Sequence, residues 1–275
     1  MLTPKPIDYK DAHMDLEYVQ RIATDAAFKG AEILHSFFGK VDNIIKKGEI
    51  DLLTEADTAS EKMIIETIRK RFPDHAILAE ESGLTEGNSS FQWIIDPLDG
   101  TINFAYQLGI FAVSIAFAVD GEPVIGIVIN PVTGEFFSAR KGNGATLNGK
   151  PIRVSERSYV SESLLVTGFP YDFKTILRPL LQRFENCLGA ARGVRRLGSA
   201  SLDLCYVASG RFDGFWEQNL KPWDTAAGVV IARESGASVT DFSDNQFGFD
   251  KTEILATNGK IHEEMVSLLE LKKTI

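Results

Sequence analysis

The sequence predicts an α+β fold, a layered sandwich in which mixed, largely antiparallel sheets alternate with helices. Apolar residues recur at helical spacing from Leu16 to Phe38 (Val19, Ile22, Ala23, Ala26, Ala27, Ala31, Ile33, Leu34, Phe37), so the chain opens with a long amphipathic helix. Two apolar runs, Phe111 to Val119 and Val124 to Asn130, are joined by Asp120-Gly121-Glu122-Pro123, a hairpin signal. Helices and antiparallel strands then come in blocks, which argues against a doubly wound parallel sheet.

The remaining elements follow from local signals. Asp51 to Asp57 leads into a second helix with apolar positions Met63, Ile64, Ile65, Ile68 and Phe72, stopped by Pro73. Ala76 to Ala79 is a short strand that runs into Glu80-Glu81-Ser82-Gly83, and Trp93 to Asp96 is a second strand, stopped by Pro97. Glu135 to Ala139 and Ala145 to Leu147 continue as strands, the latter turning at Asn148-Gly149. Leu164 to Gly168 is a strand, Thr175 to Cys187 and Ser201 to Ala208 are helices, and Phe212 to Glu217 is a strand. A small-residue helix from Ala226 to Glu234, strands Ala237 to Thr240 and Glu253 to Thr257, and a helix from Ile261 to Leu271 complete the order. No repeat or low-complexity tract interrupts it.

Composition narrows the functional classes. With 275 residues, 44% of them hydrophobic, the chain can bury a large core, read as one domain over 14–275 in two closely packed halves, roughly 14–150 and 151–275. Residues 1–13, with two prolines and the polar run Asp8-Tyr9-Lys10-Asp11, read as a leader outside the fold. The formal charge of -9 disfavours a nucleic-acid backbone as direct ligand. Cys187 and Cys205 have neither Cys-x-x-Cys spacing nor a neighbouring His and read as reduced core residues. The longest apolar runs fall far short of the roughly 18 residues of a membrane span. A cytoplasmic location is the expectation.

The chemistry gathers where strands end. Trp93-Ile-Ile-Asp-Pro-Leu-Asp-Gly-Thr101 delivers Asp96 and Asp99 to a turn, three positions apart, where they can point at one spot. Two like charges about 4 Å apart repel by roughly 4 kcal/mol at an effective dielectric of about 20. A divalent ion reverses that penalty, and oxygen ligands without His or Cys favour Mg²⁺ or Mn²⁺ over zinc. Gly100 permits a backbone angle that other residues resist, and the Gly100 and Thr101 amides would open a helix N-terminus suited to phosphate. Glu80-Glu81 at the end of a strand and Asp224 at the start of a small-residue helix repeat the pattern. The plain alternative is that Asp57, Asp96, Asp99 and Asp224 only cap helices and turns.

These residues resemble a known family. Asp96-Pro-Leu-Asp-Gly-Thr101 and Trp223-Asp-Thr-Ala-Ala-Gly228 resemble the two signature motifs of the inositol monophosphatases, in the lithium-sensitive, metal-dependent phosphatase superfamily. Asp57, Glu80-Glu81-Ser82, Gly198-Ser199-Ala200 and Glu217 stand in the family's order, and the likeness runs from about Leu16 to the C-terminus. The resemblance implies an αβαβα sandwich, a homodimer and a Mg²⁺-dependent phosphomonoesterase with two or three ions per site and no phospho-enzyme. It implies Glu80, Asp96 and the carbonyl of Leu98 as ligands of a first metal, and Asp96, Asp99 and Asp224 as ligands of a second. Thr101, hydrogen-bonded to Asp57, would orient the attacking water and Glu80 would help deprotonate it, while the Gly100 and Thr101 amides hold phosphate. Lys46 matches a family lysine near the metals.

The resemblance also places Asp99, Gly198, Ser199, Ala200 and Glu217 against the sugar hydroxyls. Carboxylates accept hydrogen bonds from a polyol, so inositol 1-phosphate is the expected substrate. One alternative is a broader sugar phosphatase acting on fructose 1,6-bisphosphate, with Arg192, Arg195 and Arg196 before the substrate turn holding a second phosphate. Another, from a different class, is a binding module, since some bacterial relatives join RNA polymerase in antitermination complexes.

Overall fold

The structure, a computed structural model, describes residues 14–40, 44–46, 52–87, 90–170, 172–249 and 251–271. The chain runs α1 (Leu16–Phe37), β1 (Ile44–Lys46), β2 (Leu52–Thr54), α2 (Glu55–Arg69), β3 (Ala76–Ala79), β4 (Gly83–Thr85), β5 (Phe91–Asp99) and α3 (Thr101–Ala105). It continues through β6 (Ala112–Val119), β7 (Glu122–Asn130), β8 (Glu135–Arg140), β9 (Ala145–Leu147), β10 (Lys150–Pro151), β11 (Leu164–Thr167), α4 (Leu177–Ala190) and β12 (Gly193–Arg195). It ends with α5 (Ala200–Ala208), β13 (Gly214–Gln218), α6 (Pro222–Glu234), β14 (Ser238–Thr240), β15 (Glu253–Thr257) and α7 (His262–Leu269).

Five layers result. Beyond the small β1-β2 hairpin, an eight-stranded sheet has the order β10-β9-β8-β7-β6-β5-β3-β4 and a five-stranded sheet the order β12-β11-β13-β15-β14. Only β3 and β5 pair in parallel in the first sheet, whereas β11 pairs in parallel with both β12 and β13 in the second. Helices α1 and α2 cover the outer face of the first sheet, α5 and α6 lie between the sheets, and α4 and α7 cover the second. The mixed layered sandwich is the one the sequence predicts. Among the described residues, no helix is long and apolar enough to cross a membrane.

Strand β6 shows how residue size sets the layers. It is buried on both faces. Val113, Ile115, Phe117 and Val119 pack toward α1 and α2, while Ala112, Ala116 and Ala118 face α5 and α6. The alanine face lets the central helices approach, and α6 is accordingly buried all round from Thr225 to Ala232. At the closest approach, a Cβ added to Gly126 of β7 would stand 2.3 Å from the carbonyl oxygen of Ala227. Cys187 and Cys205 are both buried and unpaired by a disulfide.

Several boundaries depart from the sequence reading. Pro97 does not stop its strand: β5 continues to Asp99 through a register shift against β6, and Pro97 sits inside that irregularity, where its missing N–H leaves no ladder bond unmade. Helix α6 begins at Pro222 rather than Ala226, because proline is pre-organised for the first helical position. Helix α4 begins at Leu177, after a 3₁₀ turn over Phe173–Ile176, and carries Pro179 in its first turn. The short strands β4, β10 and β12 lie at or near sheet edges and had no signal of their own. The leader expected over residues 1–13 lies outside the described residues, as do residues 47–51 of the loop after Lys46.

Two predictions follow from this packing. Gly126→Ala should lower stability by about 1–3 kcal/mol through overpacking against a backbone atom, read as a lower urea midpoint. The second concerns His75, buried in an aromatic cluster, whose Nδ1 accepts from Trp93 Nε1 at 3.1 Å and whose ring stacks on Phe72 at 4.6 Å. Burial, then the Arg69 charge, lowers its pKa below the ordinary 6.5. The unfolded chain therefore takes up this proton at higher pH than the folded one. The stability present above pH 6.5 is lost as pH falls below that value, and His75→Gln should flatten part of the fall in denaturation midpoints between pH 7.5 and 5.5.

Candidate active site

Four element ends meet beneath one cavity. The end of β5 supplies Asp96 and Asp99, the end of β3 leads to Glu80, and the first turns of α2 and α6 hold Asp57 and Asp224. The frame that aims them is made of backbone contacts. Glu80 N–H donates to Ile95 O at 3.1 Å, Leu98 N–H donates to Asp96 Oδ1 at 2.9 Å, and Ser60 of α2 donates through Oγ to Pro97 O at 3.1 Å. Gly100, at φ 98°, turns the chain into α3 where a Cβ would press on Ile110 O at 3.0 Å.

Thr101 opens α3 with its hydroxyl 3.1 Å from Leu98 O and 3.4 Å from Asp57 Oδ1. Its single proton can serve one acceptor at a time, so the hydroxyl stands between a carbonyl and a fully buried carboxylate. Asp224 is not the cap of α6: Lys221 is, and the Asp224 Oδ2 accepts the Lys221 N–H at 2.6 Å from inside the first turn.

Like charge is concentrated at Asp96, which is 2% exposed. Burial first, then Glu80, Asp99 and Asp224, push its pKa well above the usual carboxylate range, and Glu80 also hydrogen-bonds to it. Among the described residues no three acidic groups close a ready-made coordination shell. Oxygens from water or phosphate would have to complete one. The donor set, all oxygen and held around one buried carboxyl, is that of a hard divalent cation.

The opposite wall comes from the second half of the chain. Asp99 Oδ2 accepts from Ser199 Oγ at 2.7 Å, Ser201 N–H at 2.8 Å and the Ser201 hydroxyl, so the β5 turn is pinned to the start of α5. Burial raises the Asp99 pKa and these bonds oppose that rise. Gly198 (φ 93°) leads into this turn, and Ser199 is the cap of α5, with Ala200 next. Glu217, on β13, is buried, and burial followed by Asp224 raises its pKa well above normal.

A cavity of about 650 Å³ lies between the two walls. Glu80, Asp99, Gly100, Gly198, Ser199, Ala200, Glu217 and Asp224 line it, whereas Asp57, Asp96, Leu98 and Thr101 are buried and are not among its lining residues. Of the three arginines considered from sequence, only Arg196 reaches the cavity, with its guanidinium 5.9 Å from the Phe169 ring centroid. The backbone of Lys46 is in β1, and its side chain lies outside the described residues.

Sequence reasoning missed four residues here. Ser201 doubles the Asp99 clamp, and Gly168 lines the cavity beside Glu217. Asn103 donates through Nδ2 to Ile110 O at 2.7 Å and to Leu197 O at 2.8 Å, a second tie between the walls. Asp203, on the buried side of α5, has no hydrogen-bond partner on either carboxylate oxygen, and burial, Glu217 and Asp99 hold it toward the neutral acid. The available signal was weak: a polar residue inside an otherwise apolar stretch, as with Asp203 between Leu202 and Leu204.

Comparison with known proteins places the chain as a whole. The profile of the inositol monophosphatase family matches residues 15–273. An inositol-1-monophosphatase of Synechocystis is 46% identical over 257 residues, 93% of this chain and 90% of that protein. The Nus factor SuhB of Pseudomonas aeruginosa is 40% identical over 256 residues, 90% of this chain and 94% of that protein. The solved structure of an inositol monophosphatase from Anabaena superposes with a TM-score of 0.84 at 40% identity, covering 93% of this chain and 96% of that one.

The tie through Asn103 is testable. Asn103→Ala would leave the Ile110 and Leu197 carbonyls without this donor at about 1–3 kcal/mol each, and the midpoint of chemical unfolding should fall accordingly.

Proposed function

The chain belongs to the inositol monophosphatase family, and from that membership we propose that it is a Mg²⁺-dependent phosphomonoesterase, cytoplasmic and homodimeric, that hydrolyses myo-inositol 1-phosphate to inositol and phosphate. The observation that carries the reading is Asp96, a buried carboxyl with Glu80, Asp99 and Asp224 around it. Such a set has a physical reason to exist when a cation neutralises it.

The residues fit the ion. Glu80, Asp96 and the Leu98 carbonyl would hold one Mg²⁺, and Asp96, Asp99 and Asp224 a second; the Leu98 oxygen, which accepts one bond from Thr101, has a second lone pair for the purpose. When bound, the divalent ion supplies Lewis acidity, which makes water more acidic and offsets charge on the phosphate and the leaving oxygen.

The chain does the rest. Thr101, backed by Asp57, orients the attacking water, and Glu80 takes its proton. The amides of Gly100 and Thr101 hold the phosphate oxygens as the water oxygen bonds to phosphorus and the ester bond opposite it breaks. Asp99, the Gly198-Ser199-Ala200 turn and Glu217 face the polyol hydroxyls, which fixes the ring and directs the leaving oxygen.

Two further readings have their own support. Arg196 in the cavity wall favours a broader sugar phosphatase that also accepts fructose 1,6-bisphosphate, its guanidinium suited to a second phosphate. The 40% identical Nus factor favours an additional scaffold role on RNA polymerase. Retention of RNA polymerase by Asp96→Asn in a pull-down would support that role as separate from catalysis, and no retention at low salt would remove it.

Phosphate release with Mg²⁺ from inositol 1-phosphate, fructose 1,6-bisphosphate and 3'-phosphoadenosine 5'-phosphate tests the main reading. The specificity constant should be highest for inositol 1-phosphate, and chelation should abolish release. Asp96→Asn should lose on the order of a thousandfold in turnover while its melting temperature in chelator stays equal or rises, because one of several crowded charges is gone. Near-normal release by that variant would refute the metal assignment.

A further inference from the structure

Gly168 follows β11 directly, and β11 pairs in parallel with β13 with Thr167 opposite Trp216. One step on, Gly168 and Glu217 are neighbours across the two strands. Thr167 fixes the pairing by donating through Oγ1 to Trp216 O at 2.7 Å. Glu217 uses the space that the missing side chain leaves. A Cβ placed on Gly168 would lie 2.0 Å from Glu217 Oε2 and 2.3 Å from both Cδ and Oε1, contacts that real Cβ atoms essentially never make. The carboxylate is thus folded flat over the glycine, and both residues face the cavity.

No backbone reason demands glycine there. Gly168 is absent from the positive-φ glycines, so alanine fits its backbone. The three nearest atoms in the way all belong to the end of the Glu217 side chain. Around it stand the Asp224 and Asp99 carboxylates, the buried Asp203 and the Arg196 guanidinium, and Asp99, Asp224 and Arg196 line the cavity. The carboxylate is buried in the wall and borders the cavity, so a side chain at 168 would push it toward that open space.

We infer that Gly168 is a positioning residue for polyol recognition: by having no side chain it lets the Glu217 carboxylate lie back in the wall, at the depth where a ring hydroxyl reaches it. The inference rests on the proposed role of Glu217 as acceptor of a substrate hydroxyl. To regain even 3.0 Å from a new Cβ, the nearest carboxylate oxygen must move by about 1 Å, a misplacement that elsewhere costs up to about a hundredfold.

The test compares myo-inositol 1-phosphate with phenyl phosphate, an ester without polyol hydroxyls, at saturating Mg²⁺. Gly168→Ala should raise KM for the inositol ester about tenfold or more, with kcat within about threefold, and leave KM for phenyl phosphate nearly unchanged. Shortening the carboxylate in the same background, Gly168→Ala with Glu217→Asp, should recover most of the lost KM, which a merely structural defect would not. An unchanged KM in Gly168→Ala, equal losses on both esters, or no recovery in the double variant would each overturn the inference. A wild-type protein with no preference for the inositol ester over phenyl phosphate would fail the functional reading itself, before any variant is made, and this inference with it.

Discussion

Acidic groups crowded around a buried carboxyl constrain everything else in this molecule. Asp96 is shielded from water and stands among Glu80, Asp99 and Asp224. Flexible loops would let these side chains swing apart and relieve the repulsion. Instead each is set at the rigid end of a strand or helix, and the backbone around it is spent on hydrogen bonds that leave it no alternative. The cluster is thus held together at the expense of the fold's own electrostatics, the pattern of perturbed carboxyls that marks a candidate functional site.

The layering exists to bring those element ends together. Acidic ends from the first sheet meet α6 only because α6 lies flat on that sheet, and the alanines of β6 together with Gly126 of β7 permit the approach. The same helix turns Val229 and Ala232 toward the second sheet. One central helix therefore sets both the position of Asp224 and the spacing of the two walls. Side-chain volume in the core is, by this route, a determinant of site geometry.

Legibility in the sequence followed the range of the signal. The long helices, the β6-β7 hairpin and the acidic strand ends were readable because each is specified within about ten residues. The Asp96 turn was readable for the same reason, and its likeness to a family motif supplied roles that spacing alone left open. What escaped was long-range. Ser201 meets Asp99 across 102 positions and Asn103 meets Leu197 across 94, and nothing local marks a serine or an asparagine for such pairing. The strand through Pro97 was misjudged because a proline is costly only where its N–H is needed, and the register shift that removes the need is a property of the paired strand.

The two walls divide the labour in a way the chain order makes plain. Residues before 150 contribute Glu80, Asp96 and Asp99 of the acidic cluster, and residues after 160 contribute Asp224 and the cavity lining that runs from Gly168 to Glu217. Asp99 belongs to both, since its position among the acidic groups comes from β5 while its Oδ2 is held by α5. The two walls are joined through that one carboxylate and through the parallel tie at Asn103. Changes at Gly168, Phe169 or Arg196 reshape the cavity wall at residues that are not part of the acidic cluster. A fold arranged in this way can vary its cavity wall by substitution around Gly168 to Arg196 while the acidic cluster, drawn from both halves, keeps its place.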